Sequence, residues 1–240
     1  MMKKRIIYIC LFIFSAATVF AQNEQEVMKE AFDKFSKSPF TSLYSSGGAF
    51  YSGDDLDQMP MIVNYYKNEN NNKYMTALDG LLGGVIMDAK VINNELTLYT
   101  QDSGETIKRN FNTFALEAPI MRFPKLYADI LDYKFIDLNK KIISSNITLG
   151  KNWHTLKIGY NDRVDTIVFS ASTFRVRSFS TSFMDNVVNV EFGSYTTVNN
   201  IPYPKEFIMK SKTDKREIRY NVTNVSAGNN AKNAAKKLGW

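Results

Sequence analysis

Apolar and polar residues alternate along most of the chain beyond residue 60. Alternation with a period of two predicts half-buried β-strands, and short Asn- or Gly-containing turns such as Asn93-Asn94 predict hairpins between them. The pattern therefore predicts a long antiparallel meander. Its predicted strands include Met61–Tyr65, Lys73–Leu78, Val85–Val91, Glu95–Thr100, Glu105–Phe111, Tyr133–Leu138, Ile142–Leu149, Asn152–Tyr160, Arg163–Ser170, Arg175–Phe183, Val187–Tyr195, Pro204–Lys212 and Glu217–Val225.

Two segments have helical periodicity instead. Apolar residues recur every four positions in Asn23–Ser38, which ends before Pro39. A second segment, Leu116–Asp132, interrupts the meander, and its prolines stand where helices begin. Its apolar stripe must cover something apolar, and the open face of the sheet is the expected target, so we predict a lid. The stripe consists of Ile120, Phe123, Tyr127, Ile130 and Leu131.

The N-terminus has the three parts of a secretory signal peptide. Lys3, Lys4 and Arg5 precede the apolar run Ile6–Phe14, and Val19-Phe20-Ala21 resembles a cleavage site. We therefore predict a signal peptide over residues 1–21, one domain over 22–228 and a C-terminal tail over 229–240, either frayed or a short helix. The single cysteine, Cys10, lies in the apolar run, so the mature chain is expected to contain none.

Composition is that of a globular protein, with 240 residues, 44% hydrophobic and 22% charged. The formal charge is +6, but the predicted signal holds three of the 30 basic residues. Without them, 27 basic residues face 24 acidic ones, a balance of +3 that makes no strong case for nucleic-acid binding.

The sequence offers little catalytic chemistry. His154 is the only histidine, and it alternates with Leu156 and Ile158, as a strand residue beside the core does. Without further His or Cys residues, neither thiol catalysis nor a zinc site with several such ligands is expected. We therefore predict no enzyme activity, no catalytic residues, no metal and no cofactor.

The layout resembles that of the periplasmic lipoprotein carrier family (LolA/LolB-like). Ile86-Met87-Asp88-Ala89-Lys90 with Leu96–Tyr99 is similar to the family's central hairpin, and Ser172–Ser180 to its turn-then-strand segment. Asn199–Pro204 followed by Lys205–Lys210 resembles its late turn-proline-strand segment. The resemblance implies a mainly β fold: a curved antiparallel sheet forming an unclosed β-barrel over an apolar cavity, with helices as a lid.

This resemblance gives the alternating residues a function. Residues of one parity are expected to share the concave face of the sheet and to line a lipid-binding cavity. Arg109 alternates with two of them, which places a charge on an apolar face. It is expected either at the rim of the sheet, where its guanidinium reaches water, or at the cavity mouth, where it would latch the lid. The predicted lining residues are Met61, Val63, Tyr65, Val85, Met87, Val91, Leu96, Leu98, Ile107 and Phe111.

The predicted function is a periplasmic carrier that delivers lipid or lipoprotein acyl chains toward the outer membrane. Its partners are then an inner-membrane donor and an outer-membrane acceptor, and no nucleic acid. Two alternatives stay open at this point. The alternating strands and 13% aromatic residues are also typical of an outer-membrane β-barrel. The same fold also serves as a non-transporting interaction domain of the cell envelope, since fold does not imply function.

Overall fold

A computed structural model describes residues 23–53, 56–101, 103–111, 124–183, 186–212 and 215–240. Its main feature is an antiparallel sheet of 13 strands in the order β6-β5-β4-β3-β2-β1-β15-β14-β11-β10-β9-β8-β7, and β12 and β13 pair separately. The strands are β1 (Leu43–Gly53), β2 (Leu56–Lys67), β3 (Lys73–Asp79), β4 (Val85–Ile92), β5 (Glu95–Thr100), β6 (Thr106–Asn110), β7 (Ile142–Thr148), β8 (Trp153–Tyr160), β9 (Arg163–Ser170), β10 (Val176–Phe183), β11 (Asn186–Phe192), β12 (Tyr195–Val198), β13 (Ile201–Pro204), β14 (Glu206–Ser211) and β15 (Glu217–Ala227).

The strand order is linear, so the described strands form a curved, open sheet with edges at β6 and β7. The first and last strands meet in its middle, where β1 pairs with β15. This pairing joins two meandering arms, β2–β6 on one side and β7–β11 with β14 on the other. The mainly β, unclosed architecture is the one that the sequence predicted.

Strand register builds a continuous apolar face. Tyr65 lies opposite Met75, Met75 opposite Ala89, and Ala89 opposite Leu98. Residues directly opposite each other in paired strands project to the same side of a sheet. All four are buried, so this row marks the concave inner face.

A close contact between β1 and β15 holds the two arms together. The register between β1 and β15 shifts between Ser46 and Gly47, leaving Thr223 as the extra residue, and its hydroxyl donates to the Ser46 carbonyl at 3.1 Å. A Cβ atom at Gly47 would lie 2.2 Å from the carbonyl oxygen of Asn221. Only glycine therefore fits at this bulge.

Three helical segments of the described chain pack on the sheet: α1 (described over residues 23–35), α2 (Pro124–Leu131) and α3 (Asn229–Lys237). Phe35 at the end of α1 contacts Phe169 of β9 with ring centroids 5.2 Å apart. α3 buries Ala231 and Ala235 in a small cluster with Tyr66. Within the described residues, no helix has the length and apolar character needed to cross a membrane.

The predicted strand Tyr133–Leu138 is wrong. Tyr133 has a left-handed backbone with φ of 56°, and the backbone N–H groups of Phe135 and Ile136 both donate to the Phe35 carbonyl at 2.9 Å. The segment thus follows the end of α1 instead of joining the sheet. Its alternation of apolar residues came from burial beneath that helix, because aromatic neighbours surround it on several sides.

Candidate functional site

The predicted cavity residues fall on the inner face in most cases. Met61, Val63 and Tyr65 are buried along β2, and Arg109 pairs opposite Leu96, so even the charged position shares this face. Ile107 is partly buried and packs against the same core. The buried members of the predicted set are Met61, Val63, Tyr65, Met87, Val91, Leu96, Leu98 and Phe111.

Val85 does not belong to this set. Ala77 lies opposite Met87, but the next residue, Leu78, lies opposite Val85, so Ile86 is the extra residue of a β-bulge. The bulge shifts the alternation by one position. Ile86 is therefore buried and Val85 is 44% exposed. The alternation alone gave no sign of this interruption.

Arg109 is exposed, and its Nη1 donates to the Lys108 carbonyl at 3.0 Å. Two of the predicted lid residues, Ile120 and Phe123, lie outside the described residues, as does the side chain of Tyr127. The lid latch at Arg109 therefore stays a prediction. The other two lid residues, Ile130 and Leu131, are fully buried in the core at the end of α2.

The connection between α2 and the sheet is a buried charge cluster that the sequence analysis missed. Asp132 follows α2, and its Oδ1 accepts a hydrogen bond of 2.7 Å from the Tyr65 hydroxyl. Its other oxygen, Oδ2, forms an ion pair with Lys73, the first residue of β3. Lys67 Nζ of β2 lies 3.7 Å from Oδ1 and donates to the Phe40 carbonyl at 2.6 Å. We call Lys67, Lys73 and Asp132 the charge cluster.

Burial dominates the electrostatics of this cluster. It raises the pKa of Tyr65 well above its usual value, and the neighbouring Asp132 carboxylate raises it further. Burial also lowers the pKa of Lys67, although Asp132 opposes that shift. Tyr65 is therefore held as a neutral hydrogen-bond donor to Asp132.

The charge cluster borders a partly open cleft of about 470 Å³. The cleft lies at the end of the sheet where the β2–β3 and β4–β5 turns meet the residues after α1 and α2. Apolar residues of the inner face reach it as well, among them Val91 and Phe111. Within the described part of the chain, its charged lining consists of Lys37, Lys67, Glu69, Lys73, Asp129, Asp132 and Lys134.

Two exposed leucines lie at the end of β3 that is farther from the cleft. Leu81 and Leu82 are 81% and 87% exposed at the β3–β4 turn. Asp79 fixes this turn, because its Oδ1 accepts hydrogen bonds from the N–H groups of Leu81 and Leu82 at 2.7 and 2.9 Å. β3 separates the leucines from the cleft by about 20 Å, given a rise of about 3.3 Å per residue.

His154 lies where alternation placed it, buried in β8 with its ring 5.5 Å from that of Phe169. Its Nδ1 accepts a hydrogen bond of 3.3 Å from the Gly150 N–H. Burial lowers the pKa of His154 below its usual value. Across the part of the chain that the structure describes, no three His, Cys, Asp or Glu residues are grouped to hold a metal.

One sequence signal could have found the charge cluster. Lys67 continues the alternation of Met61, Val63 and Tyr65, so its position places a lysine on the apolar face. That is the same signal that singled out Arg109. No local pattern marks Asp132 as its partner, because the two residues are 65 positions apart and meet only through the packing of α2 on β2.

The architecture matches solved structures. A LolA superfamily protein from Nitrosomonas europaea superposes with a TM-score of 0.61 at 10% sequence identity, covering 85% of this chain and 94% of that one. The chain has the LolA fold. A putative outer membrane lipoprotein-sorting protein domain from Vibrio parahaemolyticus gives a TM-score of 0.57 at 9% identity, covering 85% of this chain and 92% of that one.

A DUF1329 family protein from Desulfovibrio piger superposes as well, with a TM-score of 0.55 at 9% identity, covering 79% of this chain and 86% of that one. No family model and no curated protein matches the sequence. The likeness therefore lies in the fold, which the resemblance noted from the sequence had implied.

Proposed function

We propose that this protein is an exported carrier that holds lipid or lipoprotein acyl chains against the concave face of its sheet and releases them toward the outer membrane. The observation that carries the proposal is the open, curved sheet whose inner face is apolar across β2–β5. Its LolA fold, shared with a putative outer membrane lipoprotein-sorting domain, supports the same function.

The physical basis is burial of hydrocarbon. Each acyl methylene removed from water contributes about 0.8 kcal/mol, so a long chain binds strongly without any polar motif. No catalytic step is part of this proposal. The helices that pack on the sheet determine access, because a ligand must take the place of side chains now in contact with the inner face. α2 is the element that we expect to move.

The predicted signal peptide adds the compartment to the proposal. Residues 1–22 lie outside the described residues, so export rests on the sequence alone. In this proposal the mature protein begins at Gln22 and operates in the periplasm, where a carrier must cross an aqueous space. The proposal also includes two partner proteins, a donor in the inner membrane that supplies the cargo and an acceptor in the outer membrane that receives it.

A fluorescent fatty acid that brightens in apolar surroundings tests the binding step. We expect saturable binding that unlabelled fatty acid reverses. Ala89 is a small inner-face residue beside Lys90, which is exposed on the outer face. Ala89→Phe should fill space on the inner face and weaken binding, whereas Lys90→Phe should not. Absence of saturable binding to the wild type, or full binding by a folded Ala89→Phe variant, contradicts the proposal.

A further inference from the structure

The cleft beside α2 contains more positive than negative charge. Among the described residues, four lysines line it, against Glu69, Asp129 and Asp132. Glu69 also forms an ion pair with Lys232 of α3, which does not line the cleft, so part of its charge is compensated from outside. The excess is therefore cationic at the position where the inner face of the sheet meets solvent.

The two buried lysines carry most of this excess. Lys67 and Lys73 are both at least nine-tenths buried, yet they share the single carboxylate of Asp132. Burying an ammonium group is costly unless it is paired. Two buried cations on one anion leave one positive charge without a counter-charge in this cluster.

Their hydrogen bonds are also incomplete. An ammonium group has three donors. Among the described residues, Lys67 Nζ makes one hydrogen bond, to Phe40, and Lys73 Nζ makes two, to Asn71 and Asp132. The lysines thus retain donor capacity at the wall of a cleft that has room for a small polar group.

Apolar surface continues directly from this charged wall. Phe40, Val91 and Phe111 line the same cleft and belong to the main core cluster. Val91 lies opposite Leu96 in the sheet, and both are buried on the inner face. A molecule with one charged end and one apolar end would find matching surfaces side by side.

We propose that the cleft is a headgroup subsite for an anionic phospholipid. The phosphate accepts hydrogen bonds from Lys67 and Lys73, and the acyl chains follow the inner face from Val91 inward. Lys134 and Lys37 at the rim add longer-range attraction. This inference rests on the proposed function and narrows it, because it assigns the carrier a charged class of cargo.

Competition between headgroups tests the subsite. The mature protein is incubated with vesicles of equal parts dioleoyl phosphatidylglycerol and dioleoyl phosphatidylcholine, re-isolated by gel filtration, and its bound lipid identified by mass spectrometry. The chains are identical, so selection reports the headgroup alone. We expect roughly a fivefold excess of phosphatidylglycerol at low salt, as one partly exposed ion pair gives, falling as salt is added.

Charge-reversal variants test whether the headgroup preference arises in the cleft. Lys134 is half-buried at the cleft, and Lys134→Glu changes the charge of the described lining from 4 − 3 = +1 to 3 − 4 = −1. This reversal should abolish most of the preference while circular dichroism stays unchanged. Lys37→Glu makes the same charge change at an exposed rim position. It serves as the test variant if Lys134→Glu does not fold. The matched control is Lys157→Glu on the exposed face of β8, which should keep the wild-type preference.

The outcomes separate the two proposals. Equal retention of both lipids overturns the headgroup subsite and leaves the carrier proposal intact. A preference that survives both rim variants, or that Lys157→Glu reduces equally, overturns its location in the cleft. Retention of neither lipid contradicts the proposed function itself.

Discussion

The hydroxyl of Tyr65, in the second strand of the sheet, donates a 2.7 Å hydrogen bond to Asp132 at the end of α2. The two residues are 67 positions apart, and both are almost completely buried. With Lys67 and Lys73 they fix the helix on the inner face through charge as well as apolar packing. Any movement of α2 that admits a ligand must either break the interactions of Asp132 with the two lysines or move the lysines together with the helix.

The first prediction concerns the stability of that cluster. Asp132→Asn keeps the shape of the side chain but leaves two buried lysines without a carboxylate. Removing one partner from a buried ion pair typically destabilises a protein by about 3–5 kcal/mol. We expect a loss of that size in the free energy of unfolding, measured by urea denaturation.

The control is an exposed ion pair, Glu30 with Lys34, four residues apart in α1. Glu30→Gln should cost less than about 0.5 kcal/mol. If Asp132→Asn costs no more than Glu30→Gln, the charge cluster does not hold α2 on the sheet.

The second prediction concerns the bulge that joins the two arms. In Gly47→Ala the new methyl carbon would lie 2.2 Å from the Asn221 carbonyl oxygen, so β1 and β15 must separate. We expect destabilisation of about 2 kcal/mol or more, as in other overpacked sites. Gly48 is the matched control, because a Cβ atom there meets nothing within 4 Å.

Gly48→Ala should be neutral or stabilise by up to about 1 kcal/mol, since alanine restricts the unfolded chain more than glycine does. Thermal melts of both variants check the pair. Similar melting temperatures for the two variants would show that the contact at Gly47 does not constrain the sheet.

The third prediction is a pH dependence. Because burial lowers the pKa of His154 in the folded protein, the unfolded chain binds its proton more readily. Stability contributed by the neutral ring is therefore present at about pH 7.5 and is lost as the pH falls through about 6.5, the usual value, toward the folded pKa. Gln at this position offers an acceptor for the Gly150 N–H but does not titrate.

Melting temperatures of the wild type and His154→Gln, measured from about pH 7.5 to about pH 5.5, check this expectation. The wild type should lose more stability than the variant over that range. Parallel curves would mean that another group controls the acid side of the profile.

The fourth prediction concerns Leu81 and Leu82, which the Asp79 side chain holds in an ordered turn while leaving them in water. We predict that these two exposed side chains form a contact surface for a membrane. Replacing both by serine should leave the free energy of unfolding within about 0.5 kcal/mol of the wild type, because neither is buried. It should also lower co-sedimentation with phospholipid vesicles.

Ile92 offers a control, since it is exposed as well but lies within a strand. Ile92→Ser should sediment with vesicles as the wild type does. Unchanged sedimentation of the double leucine variant would remove the turn from any membrane contact.

Much of the fold could be predicted because hairpin sheets are encoded locally. Turns such as Asn93-Asn94, both with positive φ, and strict alternation in β8 and β9 placed those strands correctly. β1 escaped prediction because its Ser45-Ser46-Gly47-Gly48 run has the composition of a turn. It is a strand because two neighbours hold it in register along its whole length.

The candidate site was less predictable for a related reason. Val85 fails because a bulge changes the alternation, and the charge cluster arises from contacts between residues distant in sequence. The boundary between β11 and β12 was also missed. The alternation predicts one strand over Val187–Tyr195, although β11 ends at Phe192 and β12 begins at Tyr195. Period-two patterns specify faces, but they do not specify which elements cover those faces.

Native mass spectrometry of the exported protein, purified without detergent, tests the carrier most directly. We expect a mature chain beginning at Gln22 and a second population heavier by the mass of one bound lipid, which organic extraction converts to the first and releases as an acyl-chain species. Protein recovered only at the mass of the polypeptide, with no lipid in the extract and no uptake from vesicles, would contradict the account. Recovery only from detergent-solubilised membranes would contradict it as well.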